Sequence, residues 1–133
     1  MKTVLTLDEL QEKCTYWQEK LGLLHWRVSV EIKRGRDIPM KGCGGCNEFN
    51  IAIECASICI LDPADYPDTL PLFAEDMETT LVHELLHITM RYFAAPEEHS
   101  LEDIHLEAAI SRLARVLVGL RRDSLLDAQP QPA

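Results

Sequence analysis

The chain has 133 residues, 47% of them hydrophobic, and its 22 acidic and 13 basic residues give a formal net charge of −9. This length fits one domain that can bury its own core, and the acidic balance argues against a sequence-independent grip on nucleic acid. The first residues alternate in polarity and run at once into Asp8 and Glu9, unlike a signal peptide, and no apolar run is long enough to cross a bilayer. We therefore expect a cytoplasmic protein whose partners are neither nucleic acid nor membrane.

The first half of the chain predicts a helix followed by a small sheet. Apolar residues at helical spacing indicate a helix over 7–22, with Thr6 placed to cap its start and Gly22 to end it. A strand is predicted over 26–32, and the Gly-rich, charged residues 34–47 are typical of a loop or hairpin tip. Two further strands are predicted where apolar residues alternate again, with Phe49, Ile51 and Ile53 in the first and Ile58 and Ile60 in the second.

The second half of the chain predicts two helices. The first spans about 72–93 and ends before Pro96, because a proline disfavours a helical residue in front of it. Ser100 is placed to cap the second helix, which runs to about Arg122. The predicted apolar stripe of this second helix is Leu106, Ile110, Leu113, Leu117 and Leu120.

Together these elements predict one α+β domain over residues 1–122. An N-terminal helix and a small, mostly antiparallel sheet are expected to pack against the two later helices. Residues 123–133 are mostly polar and are expected to form a flexible tail.

The segment from His83 to His87 carries the strongest chemical signal, the motif HExxH. Residues four apart lie one above the other on a helix, so both imidazoles can bind one zinc ion. Glu84 lies about 100° of helix rotation from His83, where it can accept a proton from a zinc-bound water without binding the ion itself. The neighbouring residues are apolar, and burying two imidazoles and a carboxylate without partners would be costly. The pattern therefore predicts a zinc ion on His83 and His87, with Glu84 as general base.

A catalytic zinc ion usually takes three protein ligands and leaves one position for water. Glu107 lies at the edge of the apolar stripe of the second helix, as expected for a carboxylate that faces an interior site. Glu102 and Asp103 are the nearest alternatives. The other side chains after His87 that could bind the ion are Glu97, Glu98, His99 and His105. For the stabilisation of an oxyanion the possibilities are His99, His105 and Tyr92.

The run Glu107-Ala108-Ala109-Ile110-Ser111-Arg112-Leu113-Ala114, coming after HExxH, resembles the gluzincins, metallopeptidases in which a Glu on the next long helix completes the zinc site. The closer likeness is to the compact ImmA/IrrE-type and related small phage and bacterial metallopeptidases. Their elements are a helix, a short sheet, an HExxH helix and a Glu helix with a pattern like E-x-x-A-N-x-F-A. The resemblance implies His83, His87 and Glu107 as zinc ligands and Glu84 as general base. It places Ser111 where the family has a polar residue that supports a ligand histidine.

Four of the five cysteines raise the question of a second metal. Cys43 and Cys46 form a CxxC pair, and Cys55 and Cys59 follow, so four thiolates could form a structural zinc site. Cys55 and Cys59 fall in strand-like sequence, however, which carries them about 13 Å apart, and a cysteine in a strand is often a small buried hydrophobe. We expect no second zinc ion here and expect Cys14 to lie in the core.

The sequence favours zinc-dependent hydrolysis of peptide bonds in a protein or peptide substrate. The alternative is a domain of metallopeptidase fold that binds zinc and a protein partner without turnover, as a regulatory or scaffold module. An intact Glu84 favours the enzyme, because metal binding alone does not need it. DNA-linked proteolysis, as in SprT-like proteins, is disfavoured by the acidic charge.

Overall fold

The computed structural model describes residues 2–39, 44–67, 76–91 and 96–129, which form three α-helices and one three-stranded sheet. The first two helices pack against the sheet, and the third packs on the second. In chain order the elements are helix α1 (Leu7–Lys20), strands β1 (Arg27–Lys33), β2 (Gly45–Asn50) and β3 (Cys55–Leu61), helix α2 (Met77–Thr89) and helix α3 (Leu101–Asp127). Short 3-10 turns follow β1 and β3, at Gly35–Asp37 and Pro63–Asp65. The predicted α+β class is confirmed.

Helix α1 begins where its capping residues predict. The Thr6 hydroxyl accepts a hydrogen bond from the Glu9 N–H at 3.2 Å, and the Glu9 carboxylate accepts one from the Thr6 N–H at 3.0 Å. This reciprocal pair satisfies two of the N–H groups that the first turn leaves without a helical partner. The helix ends at Lys20, just before Gly22, which takes a φ of +72°. Cys14 is 3% exposed and belongs to the core, as predicted.

The sheet is mixed, with β3 in the centre. β1 runs parallel to β3, and β2 runs antiparallel to it on the other side. The expectation of a mostly antiparallel sheet is therefore wrong in detail. The parallel pair arises because β1 and β2 lie at opposite edges of the sheet. The chain crosses from one edge to the other between them, and a turn after β2 then leads into the central strand β3. Ile58 and Ile60 of this central strand are fully buried against the helices.

The second strand lies earlier in the chain than the apolar alternation predicts. β2 begins at Gly45, inside the predicted loop, while Ile51 and Ile53 lie in an exposed turn over 51–54. The Asn50 side chain accepts a hydrogen bond from the Ala52 N–H at 2.9 Å, which stabilises the turn and ends the strand. Gly45 is required because a Cβ atom there would lie 2.7 Å from the Cys59 carbonyl oxygen.

Helices α2 and α3 begin at side-chain caps. Asp76 accepts a hydrogen bond from the Thr79 N–H at 3.2 Å, and Ser100 accepts one from the Asp103 N–H at 3.2 Å. The ends predicted for the first of these helices, 72 and 93, fall outside the described residues. Asp76 and Met90 lie inside that span but cap α2 and are not helical residues. α3 continues to Asp127, past the predicted end at Arg122 and into the predicted tail. Among the described residues, each helix is too short or too polar to cross a membrane.

The face that α3 buries agrees with the predicted stripe in part, since Ile110 is buried and Leu106 and Leu117 pack against the core. Its fully buried residues are Ile110, Ala114 and Val118, whereas Leu113 and Leu120 are 38% and 61% exposed. The small side chain of Ala114 lets α3 lie close to α2, which favours this face over the larger leucines. With this face of α3 buried, the side chains of Glu107 and Ser111 are turned towards α2.

A buried cluster of charged side chains joins the three helices near the start of α2. Arg122 donates two hydrogen bonds to the Asp76 carboxylate, at 2.6 and 3.0 Å, and one to Glu78 at 3.4 Å. The Trp17 indole N–H donates to the other Glu78 oxygen at 2.8 Å. Burial alone would raise the pKa of Asp76, but the hydrogen bonds from Arg122 and from the Thr79 N–H, with the Arg122 charge, bring the pKa below its ordinary value.

Replacing Arg122 with Met is expected to lower the free energy of unfolding by about 3 kcal/mol, because the partly buried Asp76 and the buried Glu78 then lose the arginine that hydrogen-bonds to both. Glu78 would keep only Lys13, whose Nζ lies 3.9 Å away. Since the folded-state pKa of Asp76 is lowered, the stability from the pair of Asp76 with Arg122 is present above the ordinary carboxyl pKa and is lost as pH falls. Urea denaturation at neutral and acidic pH measures both effects. Arg112→Met, on the exposed face of α3, is the control and is expected to change little. Equal stability of the two variants would contradict the role of the cluster.

Candidate metal centre

Helix α2 presents His83 and His87 side by side. The residues around them are buried, which fixes the rotation of the helix about its axis; they are Leu81, Val82, Leu85, Leu86 and Ile88. The Nε2 atoms of His83 and His87 lie 3.2 Å apart. The two side chains are 19% and 22% exposed, so the ring nitrogens converge at a point that solvent can reach.

Helix α3 brings Glu107 to the same point. One Glu107 carboxylate oxygen lies 3.1 Å from His83 Nε2, and the other lies 2.9 Å from His87 Nε2. In a tetrahedral zinc shell with bonds of about 2 Å, neighbouring ligand atoms lie about 3.3 Å apart. The three side chains therefore fit a zinc ion in both chemistry and spacing. They form the single group of three or more His, Cys, Asp or Glu in the described ranges that could hold a metal.

Interactions within the triad shift the pKa values of Glu107 and His87. Hydrogen bonds from His83 and His87 hold the pKa of Glu107 well below its ordinary value. Burial would lower the pKa of His87, but its hydrogen bond with Glu107 and that negative charge outweigh burial and raise the pKa. The ion pair of His87 with Glu107 needs a protonated imidazole, whereas an imidazole that binds zinc must be neutral. Zinc binding would therefore displace the proton of His87.

Ser111 supports His83 from the far side of the ring. Its Oγ atom lies 3.1 Å from His83 Nδ1, and α3 places it one helical turn after Glu107. If the Nδ1–H of His83 donates to this hydroxyl, the lone pair is left on Nε2, the atom that faces Glu107. Ser111 therefore contacts one of the two histidines of α2, and the family resemblance implies such a contact with a ligand histidine.

Changing Ser111 to Ala is expected to weaken zinc binding by about tenfold, because the outer hydrogen bond to a ligand histidine orients the ring and sets its tautomer. The fold should stay intact, since Ser111 is only partly buried. A zinc competition titration against a chromophoric chelator measures the effect. Ser124→Ala, on an exposed part of α3, is the matched control. Identical zinc affinities for the two variants would show that Ser111 does not support the site.

Glu84 lies beside the triad but is not part of it, and one of its carboxylate oxygens meets β2. It is 6% exposed, and Asn47 on β2 donates a hydrogen bond from its side-chain amide to the Glu84 carboxylate and approaches the Glu84 carbonyl oxygen at 3.4 Å. Burial raises the pKa of Glu84, although the two histidines and Asn47 oppose the shift. Glu84 is therefore a stronger base than an exposed carboxylate, and its orientation is set by the edge strand of the sheet.

Asn47 is a site residue that sequence reasoning misses, because it falls in the predicted loop. Its position in the sheet explains its direction: Asn47 pairs with the buried Ile58, so both side chains point to the face that packs against α2. A correct prediction of β2 would have identified an amide on the inner face of an edge strand.

The other candidates lie apart from the triad. Asp103 accepts a hydrogen bond from the His99 N–H at 3.1 Å. Glu102 and His105 are exposed on α3, and His99 lies 3.5 Å from Glu98 at the surface. Glu97 is likewise exposed. Tyr92 lies outside the described residues.

The cysteines are distributed over two strands and a helix. Cys46 on β2 lies directly opposite Cys59 on β3, and Cys55 is on the same face of β3 as Cys59 but at the other end of the strand. Cys43 lies outside the described residues. Burial raises the pKa of Cys14 to about 11, so this thiol is protonated at neutral pH.

Comparison with known proteins adds no assignment: no protein-family model, curated protein or solved structure matches the chain.

Proposed function

We propose that the protein hydrolyses peptide bonds with a zinc ion held by His83, His87 and Glu107. The observation that carries the proposal is that three ligand-type side chains meet within 4.8 Å of one another, while Glu84, on the same helix as the histidines, stays outside the cluster and is buried. A site that served only to bind metal would have no need of this second, separately oriented carboxylate.

Each of these residues then has a distinct task. When bound, zinc supplies Lewis-acid activation of a water molecule and of the substrate carbonyl. Glu84 accepts the proton of the attacking water and passes it to the leaving amine. Asn47 holds the Glu84 carboxylate in one orientation through its amide, and Ser111 holds the His83 ring. The side chain of Glu107 is 45% exposed, so the cluster is open to an incoming peptide.

A second candidate function is zinc binding without turnover, in a regulatory or scaffold module. The observation that favours it is the environment of Glu84, which is 6% exposed and has one carboxylate oxygen engaged by Asn47. In this alternative Glu84 stabilises the packing of α2 against β2. The two functions differ in whether zinc-loaded protein cleaves peptides.

Purified protein reconstituted with zinc at neutral pH is expected to hold about one zinc ion per chain, because the described residues supply one three-ligand set. Elemental analysis after removal of free metal measures the content, and a quenched fluorescent peptide library measures cleavage with and without a chelator. The matched control is His83→Ala with His87→Ala, which should hold no zinc. Zinc-free wild type after reconstitution would overturn the metal centre, and stoichiometric zinc without cleavage of any library member would favour the second candidate.

A further inference from the structure

The outer edge of β1, opposite the edge formed by β2, presents unpaired backbone groups. The Arg27 N–H donates to the Glu54 carbonyl at 3.0 Å, and the Lys33 carbonyl accepts from the Asp62 N–H at 2.8 Å. Successive residues of a strand turn their backbone groups to opposite edges, so residues 27, 29, 31 and 33 face β3 and the even-numbered residues between them face outward. Among the described residues, no hydrogen bond reaches the outward N–H and carbonyl groups of Val28, Val30 and Ile32.

Helix α1 runs beside this edge and forms a groove with it. One face of α1, including Gln11, Thr15 and Gln18, and residues 28–31 of β1 line a space of about 450 Å³, which we call the β1 groove. A groove with a helix along one side and a free strand edge along the other is the arrangement in which proteins bind an extended peptide as an added strand. The backbone groups of the edge then supply affinity for any extended segment.

The rim of the β1 groove is acidic. Asp8, Glu12 and Glu19 are exposed on α1 on the solvent side of Gln11 and Thr15. They have no ion-pair partner in the part of the chain that the structure describes. Glu31 also lines the groove, with its charge partly offset by Lys33 at 3.5 Å. The charge of the rim therefore favours a segment that carries lysine or arginine.

We propose that the β1 groove binds an extended, basic segment of a partner protein, which pairs with β1 as a fourth strand. This inference is independent of the metal centre, which lies towards β2. A second copy of the chain is a poorer occupant. Pairing β1 with β1 across a two-fold axis would bring a second α1 into the same space beside the edge, and the two acidic rims would repel each other.

The test is a titration of the isotope-labelled, full-length chain with a capped hexapeptide of alternating lysine and valine, followed by NMR. We expect saturable binding in which hydrogen exchange at the amides of Val28, Val30 and Ile32 slows by about tenfold or more. The amides of Ser29 and Glu31 already bond to β3 and should change little. A capped hexapeptide of alternating glutamate and valine is the charge control and should bind much more weakly.

Two protein variants complete the experiment. Gln11→Arg adds a positive charge and bulk inside the groove at an exposed position and should weaken binding of the lysine–valine peptide by about tenfold. Gln129→Arg makes the same change at an exposed position outside the groove lining, just past the end of α3, and should have no effect. The proposal is overturned if the peptide does not saturate, if both peptides or both variants bind alike, or if protection appears on β2 instead. Protection of the same three amides without peptide, rising with protein concentration, would assign the groove to a second copy.

Discussion

Glu107→Ala is expected to bind zinc on the order of a hundredfold more weakly than wild type, or worse, because one of three protein ligands is lost. The carboxylate is also the one negatively charged group among the three proposed ligands, and it offsets part of the charge of the ion. At a zinc concentration a hundred times the wild-type Kd, binding stabilises the fold by about 2.7 kcal/mol, and most of this gain should disappear in the variant. A zinc competition titration, with thermal unfolding at fixed free zinc, measures both losses.

The controls for Glu107→Ala are Glu102→Ala and Asp103→Ala, which remove carboxylates one turn earlier on α3. Both should keep most of the zinc affinity and of the zinc-dependent stability. If Glu107→Ala binds like wild type while one of these does not, the third ligand is misassigned. If all three bind like wild type, the metal centre has a different third ligand or lacks one.

As pH rises through the pKa of His87, the stability of the zinc-free protein should fall while the stabilisation by zinc should increase. In the apo protein the lowered pKa of Glu107 gives stability that is lost as pH falls, and the raised pKa of His87 gives stability that is lost as pH rises through that pKa. Zinc needs neutral imidazoles, so the stabilisation by zinc increases as pH rises through the same range. Glu107→Ala should weaken the pH dependence of the zinc-free stability and that of the stabilisation by zinc.

Glu84→Gln is expected to keep zinc and fold but to lower peptidase activity by at least about a hundredfold, because an amide cannot accept the proton of the attacking water. The substitution keeps the size of the side chain, and the new amide oxygen can still accept the hydrogen bond from Asn47. The measurement is kcat/KM on a peptide cleaved by zinc-loaded wild type, together with zinc content. Glu97→Gln, at an exposed position, is the matched control. Cleavage by Glu84→Gln at the wild-type rate would show that Glu84 is not the base.

Local signals in the sequence predict the helices well, because the groups that start them are neighbours in the chain. Thr6 and Ser100 cap α1 and α3 as predicted, and each binds an N–H group three residues further along the chain. The HExxH spacing likewise places two imidazoles on one side of α2 without knowledge of the rest of the fold, and the resemblance to gluzincins points to Glu107, which the structure brings within 3.1 Å of both histidines.

Features that depend on distant parts of the chain are predicted less well. The alternation of Phe49, Ile51 and Ile53 is the same in a strand and in an exposed turn, and only the pairing with β3 decides between them. The buried face of α3 depends on how closely it approaches α2, which favours Ala114 over the leucines of the predicted stripe. Asn47 reaches Glu84 across 37 residues of chain, and no local pattern indicates that contact.

The short chain separation within the metal triad has a consequence for the order of folding. His83 and Glu107 are 24 residues apart, so a hairpin of α2 and α3 closes a small loop and already contains all three proposed ligands. Closing a small loop costs little entropy, and local contacts form early. We therefore expect the helical hairpin to bind zinc before the sheet is complete. Zinc should then increase the folding rate. The contact of Asn47 with Glu84 spans 37 residues and needs β2 in place, so we expect the proposed proton acceptor to be oriented only after the hairpin has formed.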